Sequence, residues 1–460
     1  MAVLPLGIAW VGAVVVGSLD GRRRWPQALA VAILAAALVA MLALAVAVFR
    51  DGPVSVVAGG WPQGVGIRLQ ADALGVSFAV VSLAVLFVCL LYETAGQVRA
   101  RSFPALVLAM AAGLTGLFLT ADAFNFYVFF EISMTAAYVL TAYGEKPRQL
   151  RSAVIFSVVN LLGSIFFLFA IVALYHVTGT LDMAAIASRT VVAEENPMMT
   201  IGAILFAAFG IKLGLFPFHP WLPPVYTGTR PAVAAILSGA LASIGSYGLL
   251  RFGAGILDRE LATAAPVLAI LGVASILYGG VQAVSRHDPD EVLAYSSIGQ
   301  VGYVLIALAI GGPAGYSAAV LFALVNAVTK TLLFLASPTR GWLAGVPFAV
   351  GALAVAGVPP VAGFWSKAAV IRAVVETSGW ASMALATVIV LGGGLSFVYM
   401  FQVYQRTYWE SPEDRGAAST RGRRLIVASL AVVVVLLGLA PGPLLGVSER
   451  AAAVLPGGAP

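Results

Sequence analysis

The stretch "FGIKLGLFPFHPWLPP", residues 209–224, sets one lysine, one histidine, two glycines and four prolines into an otherwise apolar run. Its first part has the composition of a membrane helix. Gly214 and the prolines Pro217, Pro220, Pro223 and Pro224 predict that this helix breaks just after Lys212. A broken helix frees backbone carbonyls, which can hold water or an ion at membrane depth where protein surrounds them. Whether the rest of the chain supplies that membrane setting is a question of composition.

Hydrophobic residues make up 61% of the 460 and charged residues only 10%, and mean hydropathy is +0.99. A soluble domain carries roughly 25% charged residues, so this chain has too little polar surface to face water. Apolar runs of about 20 residues recur throughout, each long enough to cross a hydrocarbon core. Barrel strands would instead alternate apolar and polar residues in runs of roughly 10. The expected class is all-α, a polytopic membrane protein.

The net charge of +6 does not point to nucleic acid, because the basic residues sit in loops between apolar runs. Cys89 is the only cysteine and lies within an apolar run, so no disulfide framework is possible and the redox compartment is unreadable. His176, His219 and His287 are dispersed, which argues against a metal or haem site. No nucleotide loop or nucleophile elbow appears, so neither a metal nor a bound cofactor is expected. The N-terminus has its arginines after the apolar stretch, reading as a first span halted by Arg22, Arg23 and Arg24 rather than a cleaved signal peptide.

Hydropathy predicts about 14 spans of roughly 17–25 residues. They cover 3–19, 27–49, 72–94, 103–121, 123–143, 152–178, 199–216, 231–252, 261–285, 291–311, 314–337, 345–377 (broken), 380–406 and 425–445. Alternate loops are basic. One side collects Arg22 to Arg24, Arg99, Arg101, Lys146, Arg148, Arg151, Arg230, Arg286, Arg340, Arg406, Arg415, Arg421, Arg423 and Arg424. The other holds Arg50, Arg68, Arg189, Arg251, Arg259 and Arg450. This bias predicts a cell-membrane protein with the first set cytoplasmic and both termini outside. The longest loops, near 50–71, 179–198 and 407–424, are too short to fold alone.

A few charges lie within or near spans. Glu131 is the one charge in "FNFYVFFEISMTAAYVL", residues 124–140. Such a carboxylate either exchanges protons or locks two helices as an ion pair, and mid-membrane charge is normally retained for a pathway. Lys212 either relays protons, since a desolvated lysine releases its proton more readily, or snorkels to an interface. His219, at the break, either passes protons to the wet side or hydrogen-bonds within its loop. Lys330, in "LVNAVTKTLLFLASP", is deep in its span, and Lys367 follows a second break at Pro359, Pro360 and Gly363. Arg372 and Glu376, spaced i,i+4, pair structurally. Asp72 begins the third span and reads as interfacial.

The two breaks fall in corresponding places. If spans four to eight form one five-helix unit and spans nine to thirteen another, the broken helix is the fourth member of each. Paired broken segments mark an internal repeat with its site near the midplane. The domain expectation is therefore N-terminal helices in 1–102, units at 103–252 and 261–406, and a last helix at 425–445. Asn160, Ser164, Ser243, Tyr247, Tyr295 and Ser296 are placed to lend polar contacts between charges, although each also suits a helix–helix hydrogen bond.

These residues carry a resemblance. The chain resembles the antiporter-like membrane subunits shared by Mrp-type cation/proton antiporters and respiratory complex I, from about the third span to the thirteenth. Besides the segments around Glu131 and Lys212, "EVLAYSSIGQVGYVLIALAIG" (291–311), "KTLLFLASP" (330–338) and "GVPPVAGFWSK" (357–367) carry it. Chain length and the segment 148–184 look most like the D-type Mrp subunit. The resemblance implies that the two five-helix repeats are inverted, with helices 7 and 12 broken. It implies a proton relay of Glu131, Lys212, Lys330 and Lys367, in which changing Glu–Lys attraction drives proton release.

The sequence departs from the family pattern in the relay itself. Ser243 stands where many relatives have lysine or histidine, and Asn326 where they have histidine, while "HDPDE" (287–291) replaces a basic pair. Neither side chain holds a proton as a titrating group, so the central path is either completed by water and another residue or interrupted.

The leading expectation is an ion-translocating subunit of a multisubunit membrane complex, without a redox or hydrolytic site of its own. It would move protons, in exchange for Na⁺ or K⁺ or alone. Its expected accessory residues are His219, Ser243, Tyr247 and Asn326, and its expected partners are other membrane subunits and the lipid bilayer. The alternatives are a proton-pumping subunit of a complex-I-like or hydrogenase-like assembly, and a structural subunit with a decayed relay.

Overall fold

A computed structural model of the chain describes residues 2–61, 66–191, 195–339, 342–409, 420–456 and 458. Arg340 and Arg415, counted above among the basic loop residues, lie outside the described residues. The helices are α1 (Leu4–Gly17), α2 (Arg24–Asp51), α3 (Ala73–Thr94), α4 (Phe103–Leu119), α5 (Ala123–Thr141) and α6 (Pro147–Thr178), then the short α7 (Met183–Thr190). They continue with α8 (Glu195–Leu213), α9 (Leu222–Gly228), α10 (Pro231–Ala254), α11 (Asp258–Val284), α12 (Pro289–Ile310) and α13 (Gly312–Ala336). The last are α14 (Trp342–Ala356), α15 (Ala362–Glu376), α16 (Trp380–Trp409), α17 (Arg421–Leu439) and α18 (Gly442–Ala452).

Helices lie at all fourteen expected positions. Among the described residues, ten are long and apolar enough to cross a membrane, and Leu4–Gly17, Phe103–Leu119, Pro197–Leu213 and Gly345–Ala356 are shorter apolar helices. Their starts are written in the sequence. Asp72, Asp122, Asp182 and Asp288 cap α3, α5, α7 and α12 by accepting backbone N–H groups of the first turn. Pro147, Pro231 and Pro289 begin α6, α10 and α12, where a missing N–H costs nothing. The expected last span at 425–445 ends at Leu439 instead, because Pro441 halts it before α18 begins.

Both predicted breaks are present, and a glycine makes each. Gly214 (φ +61°) ends α8 and Gly357 (φ +80°) ends α14, in the left-handed conformation that terminates helices. The chain resumes as α9 and as α15.

One hydrophobic core joins both halves of the chain. α10, α12 and α13 are its most enclosed helices, whereas α6, α11 and α16 turn much of their surface outward. Val154, Val158, Leu161, Ile165, Phe169 and Val172 form an exposed stripe on α6, as a lipid-facing helix requires. α11 and α12 approach closely through Gly279 and Gly302, where any side chain would meet the opposing backbone.

Ion pairs and hydrogen bonds join loop residues that the charge pattern assigns to the same face. On one, Glu93 binds Arg230 at 2.9 Å and Arg423 at 3.1 Å, and Arg101 reaches the carbonyls of Ser18 and Leu19. On the other, Arg68 binds Asp182 at 2.8 Å, and Arg450 donates to the Phe49 carbonyl. On this second face the two long loops knit together, which the sequence does not announce. Strands β1 (Val54–Val57) and β2 (Arg68–Ala71) pair antiparallel, and α7 is tied to them by the Arg68–Asp182 pair.

Candidate functional site

Lys212 sits in the last turn of α8, two residues before Gly214. The break is held by Trp221, whose Nε1 donates to the Ile211 carbonyl at 2.9 Å. Lys212 Nζ donates to the Asn160 carbonyl (2.8 Å) and to Ser164 Oγ (3.2 Å), both on α6, and lies 4.3 Å from the centre of the Phe130 ring. Glu131 follows Phe130 on α5. It makes no ion pair with Lys212 within 4.0 Å, and its buried Oε1 has no hydrogen bond, yet the two charges are close enough to attract.

Beside Lys212 is a cavity of about 10 Å³, lined also by Asn160, Trp221 and Tyr226, which is about the space one water occupies. Its far wall is α10, contributing Leu237, Leu241, Ala242 and Ile244. α10 lies between α8 and α13: Gly245 packs on Leu213, and Gly239 on Ala327 and Thr331. Leu237–Leu241 and Leu249–Ala254 are wide π-helical turns on either side of Ser243, a distortion frequent at functional sites. Ser243 itself is buried and donates to the Gly239 carbonyl of its own helix at 2.8 Å.

Lys330 is wholly buried on α13. Its Nζ donates to Ser296 Oγ at 2.8 Å and to the Leu293 carbonyl at 3.2 Å, both on α12. Lys367, on α15, donates to the Ala356 carbonyl left open by the second break (3.2 Å) and stands 4.7 Å from the Tyr303 ring centre. A second cavity of about 10 Å³ adjoins it, lined by Gln300, Asn326, Thr329 and Ser366 among others. Thr329 Oγ1 is buried there with no hydrogen bond. The lysine precedes its break in the first unit and follows it in the second.

Thus three lysines are buried with neutral oxygen acceptors and, among the described residues, no carboxylate within 4.0 Å. Burying an ammonium so sparsely partnered is costly, and such groups mark ion pathways. Several acids and arginines nearer the helix ends are paired. Asp72, expected at an interface, is buried and binds Arg251 at 2.7 Å. Tyr247 joins that pair, accepting from Arg251 and donating to the Phe118 carbonyl, so it stands apart from the lysines. His219 is buried between Phe216 and Tyr278, with Nδ1 unbonded. Asp288 and Asp290 of "HDPDE" serve structure, capping α12 and accepting from Ser337. Arg372 binds Glu376 at 2.8 Å on an exposed face. Among the described residues no three His, Cys, Asp or Glu side chains gather as a metal site would need. Glu93, Ser396 and Tyr399 do not stand out in the sequence; the one available signal is polar side chains inside apolar spans.

Comparison with known proteins fits this geometry. The family model described as NADH:quinone oxidoreductase/Mrp antiporter, TM matches residues 120–340, a segment that contains Glu131, Lys212 and Lys330. NADH-quinone oxidoreductase subunit N of Desulforudis audaxviator is 32% identical over 95% of this chain and 93% of its own length. The chain belongs to the antiporter-like membrane subunit family shared by NADH:quinone oxidoreductase and the Mrp antiporter. The D-type subunit of the Na(+)/H(+) antiporter of Alkalihalophilus pseudofirmus is 30% identical over 89% of this chain and 87% of its own.

Solved relatives extend the family likeness to the whole fold. A chain of the Mrp complex from Dietzia sp. DQ12-45-1b superposes with a TM-score of 0.88 at 26% identity, covering 98% of this chain and 97% of that one. A chain of the membrane-bound sulfane sulfur reductase, an archaeal respiratory membrane complex, gives 0.90 at 25% identity with the same coverage. This family member is accordingly an antiporter-like ion-translocating subunit of a multisubunit membrane complex of the Mrp or complex I type.

Proposed function

We propose that the chain moves protons through a relay of Glu131, Lys212, Lys330 and Lys367, in exchange for Na⁺ or K⁺, as a D-type subunit of an Mrp-like complex. The observation that carries this reading is the row of buried lysines, two of them beside water-sized cavities. Glu131 tunes the first of them through its charge. The units at 103–252 and 261–406 act as inverted repeats within fourteen transmembrane helices, flanked by the helices in 1–102 and by α17 (Arg421–Leu439). Both termini face outward, in keeping with the segregation of arginines. Asn326 helps hold water beside Lys367, and His219 lies at the edge of the first break as an exit group.

The test is cation-driven proton exchange in vesicles holding the intact complex, with Glu131→Gln and Lys212→Ala compared with wild type. Loss of flux at normal assembly supports the relay, and unchanged flux in both variants overturns it. A second reading is supported by the 32% identity to a subunit N: proton pumping within a complex-I-like assembly, energised by electron transfer in other subunits. Co-purifying subunits separate the two. Small Mrp-type subunits favour antiport, and quinone- and iron–sulfur-bearing ones favour pumping.

A further inference from the structure

From Lys330 toward Lys367 the structure holds a run of side-chain hydroxyls that ends at the Gly392 carbonyl. Lys330 Nζ donates to Ser296 Oγ (2.8 Å), which lies 3.0 Å from Tyr399 Oη on α16. Tyr399 Oη donates to Ser396 Oγ (3.0 Å), and Ser396 Oγ donates to the Gly392 carbonyl (2.7 Å). Because Ser296 accepts from the lysine and the Tyr399 proton is directed at Ser396, the proton between Ser296 and Tyr399 belongs to Ser296. Every donor therefore points the same way, from Lys330 toward the Gly392–Gly393 turn. Gly393 borders Lys367 Nζ, and the Tyr303 hydroxyl borders Gly392. That hydroxyl is buried, approaches Ser396 without completing a hydrogen bond, and belongs to the ring beneath Lys367.

We propose that Ser296, Tyr399 and Ser396 form the proton path from Lys330 to Lys367, with Tyr303 and one water closing the last step. The proposal rests on the lysine-relay reading above. A hydroxyl both accepts and donates, so each can take a proton on one side while giving up its own on the other. Lys330 passes a proton to Ser296, Ser296 passes its own to Tyr399, and Tyr399 passes its own to Ser396. The Ser396 hydroxyl turns from the Gly392 carbonyl to a water held beside the Tyr303 hydroxyl, and its proton leaves through that water to a neutral Lys367. Lys330 ends neutral, Lys367 ends charged, and the hydroxyls end neutral with their dipoles reversed. Like charges on the two lysines are close enough to repel, which favours one proton shared along the ladder over two.

The experiment measures proton flux, in H₂O and D₂O, for the native complex in vesicles carrying Tyr399→Phe or Lys330→Ala. Tyr399→Phe keeps the ring and removes the hydroxyl. The expected result is flux about tenfold lower at unchanged complex content, with a larger solvent isotope effect; the loss is smaller than the ~10²-fold of a titrating acid–base group because water can take the place of the missing hydroxyl. Tyr399→Phe flux within about twofold of wild type, or a lowered flux with an unchanged isotope effect, overturns the ladder. Lys330→Ala separates this from the reading beneath it. If Lys330→Ala is inactive while Tyr399→Phe is active, only the ladder fails; if both are active, the relay reading fails. Should Tyr399→Phe not assemble, Ser296→Ala and Ser296→Thr decide. The threonine variant, which keeps a hydroxyl, is expected to retain at least about fivefold more flux, and equal flux overturns the proposal.

Discussion

The interval from Lys212 to Lys330 and the interval from Lys330 to Lys367 are built from opposite materials. In the first, the water-sized cavity beside Lys212 meets α10 at Leu237, Leu241, Ala242 and Ile244, and the Ser243 hydroxyl on that helix donates to its own backbone. In the second, Ser296, Tyr399 and Ser396 bridge from one lysine toward the next at hydrogen-bond distance. The difference teaches where charge movement depends on protein side chains and where it depends on water. A proton crossing α10 needs water to enter between apolar walls, whereas one crossing to Lys367 has hydroxyls already in line. π-helical turns flank Ser243 at the place on α10 where the proposed relay needs water to pass.

Lys330 ends both intervals, so Lys330→Ala is the harshest cut. Proton flux in vesicles is expected to fall about a hundredfold or more, as when a proton-transfer group is lost, with the complex still assembled. Tyr399→Phe breaks the second interval alone, with a roughly tenfold loss. Ser243→His would supply the first interval with a titrating group, and a gain of a few-fold is expected. A variant with flux unchanged or reduced would mean that α10 does not limit passage. Glu93→Gln addresses neither interval. It strips Arg230 and Arg423 of a carboxylate whose side chain is only 3% exposed, and breaking such a buried network costs about 3 kcal/mol. A lower thermal midpoint with unchanged flux per assembled complex is the expected outcome. Arg372→Gln, on an exposed pair, should leave both assembly and flux as they are.

Much of this was legible in the sequence because membrane helices obey simple rules. Apolar length gave the helix positions, Gly214 and the prolines after it announced the first break, and Pro359 and Pro360 announced the second, which opens two residues earlier at Gly357. Lys212, Lys330 and Lys367 stood out because charge inside a span is rare. Their partners were less legible. Asn160, Ser164 and Ser296 are visible as polar residues between the charges, but Tyr399 and Ser396 reach Lys330 only through the packing of α16 beside α12, which no local pattern encodes. The Asp72 ion pair is hidden in the sequence because its partner Arg251 is 179 residues away. The β1–β2 ribbon is hidden because "VSVV" and "RLQA" are shorter than the apolar runs around them.

The most direct test sets Ser243→Ala beside Tyr399→Phe in the same preparation of intact complex, with proton flux measured per assembled complex. The account predicts that Ser243→Ala stays within about twofold of wild type while Tyr399→Phe falls about tenfold, since only the second removes a hydroxyl from a path. Equal flux in the two variants, or a greater loss in Ser243→Ala, would contradict it.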